Sequence, residues 1–227
     1  MRTAEWSDAI SVLDRVTAVL EALGAQDEGL GVSEIARRAN LPKSTVSRLA
    51  ADLVRQGYLD RIGDRLYLGM RLFELGQAVP QTRRLRELAL PILAELRAEL
   101  RAPVQLGILD GRDVVIVAAL RGPVPSEALD TVGSRSGALA SAIGRSLRER
   151  GDTDRLPAQI GPSAVTVDDR PGPDGRIRIA APVVVPFDRP TAAIGARIAL
   201  DDLAEAGSAL RAAAAGLTRR LASSASR

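Results

Sequence analysis

The chain has 227 residues, 46 % hydrophobic and 26 % charged, a balance that suits a folded protein of one large domain or two ordinary ones. It contains no cysteine and no histidine, and Lys43 is its only lysine, which removes disulfides, thiolate and imidazole metal ligands, and the commonest acid–base and nucleophilic catalysts. With a net charge of +3, no apolar run near the ~20 residues of a membrane helix and no visible secretory segment, the expectation is a soluble cytoplasmic protein that is not an enzyme, binds no cofactor or metal and contacts no membrane.

Charge is distributed unevenly. Residues 1–30 hold two basic and six acidic side chains, whereas residues 31–71 hold eight basic and four acidic ones. A local positive field of that kind draws a segment toward phosphate, although a solvated charged face would account for the charge alone.

The spacing of Ile10, Leu13, Val16, Leu20 and Leu23 predicts a helix over 7–23 with one buried stripe, and Val12 and Val19 add a second apolar edge suited to a partner chain. Ser33 is expected to cap a short second helix whose inner stripe is Val32, Ile35, Ala36 and Ala39. Asn40-Leu41 turns the chain, and Pro42 fits the first position of a third helix running to about Gln56, where Gly57 stops it. Val46, Leu49, Ala50 and Leu53 face inward. Lys43, Ser44, Thr45, Ser47, Arg48, Asp52 and Arg55 face outward.

Two short helices joined by a tight turn, the second with hydroxyls and bases at its N-terminal end, suit DNA. The helix start and Lys43 favour phosphate, the hydroxyls are small enough to enter the major groove, and Arg48 has the fork for a guanine or a phosphate. A helix in an ordinary bundle is the alternative. The following segment weighs against it: residues 58–68 read as a hairpin about Gly63-Asp64, which makes a wing and brings Arg61 and Arg65 near its tip. The DNA-binding candidates are therefore Ser33, Lys43, Ser44, Thr45, Ser47, Arg48, Arg61 and Arg65.

The run GLGVSEIARRANLPKSTVSRLAADLVRQGYLDR resembles the DNA-binding domain of the IclR family of bacterial transcriptional regulators, most specifically over Leu41 to Leu49, and LYLGMRLFELG resembles the helix that follows the wing there. The resemblance implies an α+β protein: a winged helix-turn-helix over 1–80, a linker helix over 81–101, and a shortened, GAF-like α/β effector-binding or oligomerisation domain over 102–227. It also implies a homodimer or dimer of dimers on a pseudo-palindromic double-stranded operator, regulated by a small organic acid or apolar effector. The alternative for the second half is a module that only oligomerises or binds a protein and senses no ligand.

The residues themselves support a linker helix over 83–100, striped by Leu85, Leu88, Ala89, Ile92, Leu96 and Leu100 and kinked or restarted at Pro91, although a packed core helix has the same periodicity. Strands follow at 104–108 and 114–120 about Asp110-Gly111, then a helix over 138–149, strands at 176–185 and 191–200, a closing helix striped from Leu203 to Leu221, and a frayed tail from Ser223. The acidic groups Asp152-x-Asp154, Asp168-Asp169 and Asp201-Asp202 read as loop or capping carboxylates, because a hard cation needs several convergent oxygens.

Within the second half, Val132 to Arg135, Ala138 to Leu147 and Ile179 to Val183 resemble segments around the family's effector site. Leu139 stands where the family usually has histidine, Ser141 where it has threonine, Arg145 where it has lysine and Arg178 where it often has cysteine. The stretch between Leu147 and Val167 is about half the usual length. The candidate lining is aliphatic, from Leu106, Ile108, Ile179 and Ile194 beside Ala140 and Ala180, with Ser141 and Arg178 as polar contacts. With Phe187 the only aromatic residue of the domain, a stacking pocket is not expected, and Arg178 suits a small carboxylate. Arg178 pointing to solvent or pairing with Asp168 is the competing reading.

Overall fold

The computed structural model describes residues 11–24, 28–123, 131–151, 165–168, 171–172, 174–184 and 192–225. They fall into two compact units, Met1–Val79 and Pro80–Arg227.

In the first unit, α1 (Val12–Leu23) starts at Ser11, whose hydroxyl accepts from the Asp14 N–H while the Asp14 carboxylate accepts from the Ser11 N–H, a reciprocal capping box. The expected start at residue 7 lies outside the described residues. Helix α2 (Val32–Arg38) corrects one expectation: its cap is Gly31, and Ser33 lies inside the first turn with no capping bond. A two-residue strand that the sequence did not announce, β1 (Leu30–Gly31), takes the extended backbone before that helix and pairs with the wing.

The turn into α3 (Lys43–Arg55) is built at Asn40, whose φ of 52° lets the Leu41 N–H reach back to the Ala36 carbonyl at 3.0 Å. Pro42 is the residue before α3 and not its first helical position. The far end of α3 repeats the same motif with glycine: Gly57 has φ 77°, the Tyr58 N–H donates to the Leu53 carbonyl, and the Gly57 N–H donates to the Val54 carbonyl.

Strands β2 (Leu59–Ile62) and β3 (Arg65–Leu68) form the expected hairpin, with Ile62 opposite Arg65 and Gly63 at φ 61°. The sheet order is β1-β3-β2. Val19, Leu23, Ile35, Val46, Ala50, Leu53, Leu59 and Leu66 close one core beneath the three helices and the wing. Helix α4 (Met70–Gln77) follows with no buried residue. Met70 and Phe73 on it, and Val12 and Leu13 on α1, remain exposed.

The second unit carries a six-stranded antiparallel sheet in the order β6-β5-β4-β9-β8-β7. Its strands are β4 (Val104–Asp110), β5 (Asp113–Leu120), β6 (Arg135–Gly137), β7 (Thr166–Val167), β8 (Arg176–Val183) and β9 (Ala192–Ala199). The β4–β5 turn falls at the expected Asp110-Gly111, with Gly111 at φ 64°. The link between the expected strands at 176–185 and 191–200 lies outside the described residues.

Helices α5 (Pro80–Leu100) and α7 (Leu203–Ala225) cover one face of the sheet. Helix α5 continues through Pro91, and Leu85, Ala89, Ile92, Leu93 and Leu96 are buried in the core of this unit, so the segment read as a linker is also a core helix. Helix α7 extends to Ala225, beyond the expected start of a frayed tail.

On the opposite face lies α6 (Ala142–Gly151). The single helix expected from residue 138 is interrupted: Ala138–Ala140 is a turn of 3-10 helix, Ser141 is extended at φ −146° and ψ 157°, and α6 begins after it. The Ser141 hydroxyl accepts from the Gly144 N–H at 3.2 Å, so its short polar side chain restarts the helix as a cap.

Candidate nucleic-acid interface and sensor cavity

Helix α3 presents two chemically different faces because its apolar residues recur at helical spacing. Val46, Ala50 and Leu53 are buried. Lys43, Ser44, Ser47 and Arg48 are exposed, and Thr45 is half-buried beside them. The helix has no side-chain cap and no acid in its first turn, so none of its own side chains occupies the amide groups at its start. Ser33 is exposed on α2.

Ion pairing divides the eight bases of residues 31–71 sharply. Glu34 accepts from Arg37 at 2.6 Å and Arg38 at 2.7 Å. The hydrogen bond from Arg37 and then that from Arg38 lower the Glu34 carboxyl to about 2. Arg55 pairs with Asp52 at 2.7 Å, and Arg71 with Glu74 at 2.9 Å. Arg65 donates to the backbone carbonyls of Glu28 and Gly29 at 3.0 and 3.1 Å, tying the wing to the chain ahead of β1. Among the described residues, Lys43, Arg48 and Arg61 form no ion pair. Of the two wing arginines, then, only Arg61 is uncommitted to the fold among the described residues.

In the second unit a cavity of about 20 Å³ opens between the sheet and the start of α6, with Gln105, Ser141, Ile143, Arg178, Ile179 and Arg197 in its wall. The structure thus brings together three of the expected residues, Ser141, Arg178 and Ile179. Leu106, Ile108 and Ile194 lie elsewhere: successive side chains of a strand point to opposite faces, and these three, with the Ile179 side chain, belong to the core against α5 and α7. The expected aliphatic lining is corrected on that ground. Ala180 is buried beneath α6 outside the cavity wall, and Ala140 is exposed.

Arg178 does not pair with Asp168. That carboxylate is taken by Arg145 at 2.7 Å, a pair in which both side chains are mostly buried. Arg178 instead stands opposite Arg197 in the register of β8 and β9. Arg197, a residue that sequence reasoning missed, is buried and pairs with Asp174 at 2.7 Å. Partial desolvation opposes ionisation of Asp174, but hydrogen bonds from the Arg176 N–H and from Arg197 outweigh it and hold the carboxyl below its usual range. Period-two alternation from Arg178 to Ala180 and from Ala193 to Arg197 would have flagged Arg197, had the pairing of the two strands been known.

Asp201 and Asp202 lie in a turn of 3-10 helix ahead of α7. Asp152, Asp154 and Asp169 lie outside the described residues.

Two family models match the chain: the IclR helix-turn-helix domain over residues 12–63 and the bacterial transcriptional regulator IclR C-terminal domain over residues 77–170. The HTH-type transcriptional regulator XynR of Escherichia coli is 31% identical over 140 residues, which cover 61% of this chain and 56% of that protein. The HTH-type transcriptional regulator KipR of Bacillus subtilis is 32% identical over 119 residues, covering 52% of this chain and 48% of that protein. The chain therefore spans about half the length of these curated relatives. Among solved structures, an IclR homologue from Microbacterium hydrocarbonoxydans complexed with 4-hydroxybenzoate superposes with a TM-score of 0.77 at 28% identity, covering 94% of this chain and 100% of that one.

Proposed function

The chain belongs to the IclR family of bacterial transcriptional regulators, and on that premise we propose that it is a sequence-specific DNA-binding regulator whose C-terminal unit answers a small-molecule effector. The observation that carries the DNA-binding half is the set of uncommitted bases: among the described residues no acid pairs with Lys43 or Arg48 on α3 or with Arg61 on the wing, whereas Arg65, also without an ion pair, is held by backbone carbonyls. Helix α3 enters the major groove, with Ser44, Thr45, Ser47 and Arg48 at base edges and Lys43 at phosphate. Arg61 grips the flanking backbone. Ser33 and Arg65 border this surface, and Arg65 also holds the wing in place.

The protein acts as a homodimer or dimer of dimers on a pseudo-palindromic operator. The exposed Val12 and Leu13 of α1, and the exposed Met70 and Phe73 of α4, are apolar surface suited to a second copy. It works in the cytoplasm, where operator DNA is found, and catalyses no reaction. Its effector is an organic acid in this reading, supported by Arg178 at the cavity and by the aromatic acid in the Microbacterium homologue.

A second reading, in which the C-terminal unit only oligomerises or binds a protein, draws support from the small volume of that cavity. Fluorescence anisotropy on the DNA upstream of the protein's own gene, against a scrambled duplex at the same salt, tests the leading one. A preference of about 10³-fold or more for the native sequence is expected, and equal affinities would refute sequence-specific binding there.

A further inference from the structure

We propose that the groove on the solvent side of α5 and α7 pairs two copies of this chain. A two-fold axis through its middle lays the acidic end of each groove on the basic end of the other. The inference rests on the reading of the chain as a homo-oligomer and adds to it where the C-terminal units meet.

The groove holds about 380 Å³ and has a floor of Ile92, Ala209, Ala213 and Gly216, with Ala212 exposed beside them. Its ends differ in charge because of how the two helices run. Helix α5 ends just before β4, α7 follows β9, and Val104 at the start of β4 pairs with Ala196 near the end of β9. The end of α5 therefore lies beside the start of α7, and the helices run in opposite directions over the sheet. Gly216 marks their register, since a Cβ there would lie 4.0 Å from the Ile92 Cδ1. From that level Glu95 and Glu99 lie toward one end of the groove, and Arg219 and Arg220 toward the other.

None of these four charges forms an ion pair among the described residues. Their local surroundings are adverse or empty. Glu95 and Glu99 stand four residues apart on one helix, where like charges repel, and Glu99 is in the last turn of α5, where the helix dipole disfavours an acid. On α7 the residues three and four positions ahead of Arg219 and Arg220 are Ala215, Gly216 and Leu217, so the helix offers them no acid there. An occupant of one sign would satisfy one end only. A second copy turned about the two-fold sets its Arg219 and Arg220 against Glu95 and Glu99, and its own acids against the bases, so both ends are answered by one contact. The small side chains of the floor let the partner helices come close.

Sedimentation velocity of the full chain at low salt tests this. Glu95→Arg with Glu99→Arg makes both ends of the groove basic, and Arg219→Glu with Arg220→Glu makes both acidic. Each double variant alone is expected to show half the mass of the native assembly, and an equimolar mixture of the two to restore it. Native mass retained by either variant would overturn the proposal, as would a mixture of two folded variants that stays at half mass. Should a double variant fail to fold, Gly216→Gln decides alone. Its Cβ meets nothing closer than 4.0 Å and glutamine favours a helix, so it is expected to keep or raise Tm while its side chain fills the groove and halves the mass. Native mass in that variant would overturn the proposal. An assembly that survives every variant would leave the homo-oligomer reading standing with its interface elsewhere, whereas a native chain that sediments as a monomer would remove both.

Discussion

A side chain on Gly69 would collide with the carbonyl oxygen of Gly57, so the end of the wing and the end of the recognition helix meet backbone to backbone. A Cβ there would also lie 2.9 Å from the Tyr58 carbonyl carbon. The Gly69 N–H donates to the Tyr58 carbonyl at 2.8 Å, closing the loop that begins and ends at these two glycines. The wing is thus fixed to α3 by a close backbone approach and a backbone hydrogen bond as well as by side-chain packing.

Gly69→Ala is accordingly expected to destabilise the N-terminal unit by about 1–3 kcal/mol, because the atoms it meets are backbone and cannot turn aside. Thermal unfolding of the variant against the native chain measures this. An unchanged Tm would show that the close approach relaxes without cost.

Arg48→Ala is expected to relax base specificity by ~1–3 kcal/mol if its guanidinium forks a guanine. Anisotropy titrations on operator and scrambled duplexes separate the cases. An equal loss on both would assign Arg48 to phosphate and remove its reading role.

The two wing arginines should behave differently. Arg61→Ala, which removes an unpaired surface cation, is expected to leave Tm unchanged and to lower the slope of log affinity against log salt by about one unit. Arg65→Ala breaks the bonds to the Glu28 and Gly29 carbonyls and is expected to cost about 1 kcal/mol of stability. Parallel Tm and salt-slope measurements check the division, which fails if both variants change the same quantity.

Glu34 carries a pH signature. Its native carboxyl is lowered to about 2, so its ion pairs with Arg37 and Arg38 contribute fully above the unfolded value near 4.5 and fade as pH falls toward 2. The Tm difference between the native chain and Glu34→Gln should be constant above about pH 5 and shrink on acidification. Freed of Glu34, Arg37 and Arg38 should also raise affinity for scrambled DNA, most clearly at low salt. A Tm difference that stays level down to pH 2 would contradict this account.

The helix-turn-helix was legible because its determinants are local. The inward stripe of Val46, Ala50 and Leu53, the left-handed positions at Asn40 and Gly57, and the Gly63-Asp64 turn each act within a few residues of sequence. The sequence by itself therefore determined where the recognition helix and wing lie and which side chains they expose. Even there, the cap at Gly31 and the pairing of β1 with β3 escaped it, since the latter joins residues more than thirty positions apart.

Tertiary structure decided which candidate bases are left uncommitted. Arg65 is held by carbonyls far upstream, Asp168 is taken by Arg145, and Arg178 is set against Arg197 with only the latter neutralised among the described residues. It also decided which face of the sheet holds the cavity, turning Leu106, Ile108 and Ile194 into core and Ile143 into the wall. The physical reason is that a strand's two faces are told apart only by what packs on each. In this sheet both faces are covered by helices, so the apolar pattern of the strands runs nearly unbroken and carries no mark of which side is which.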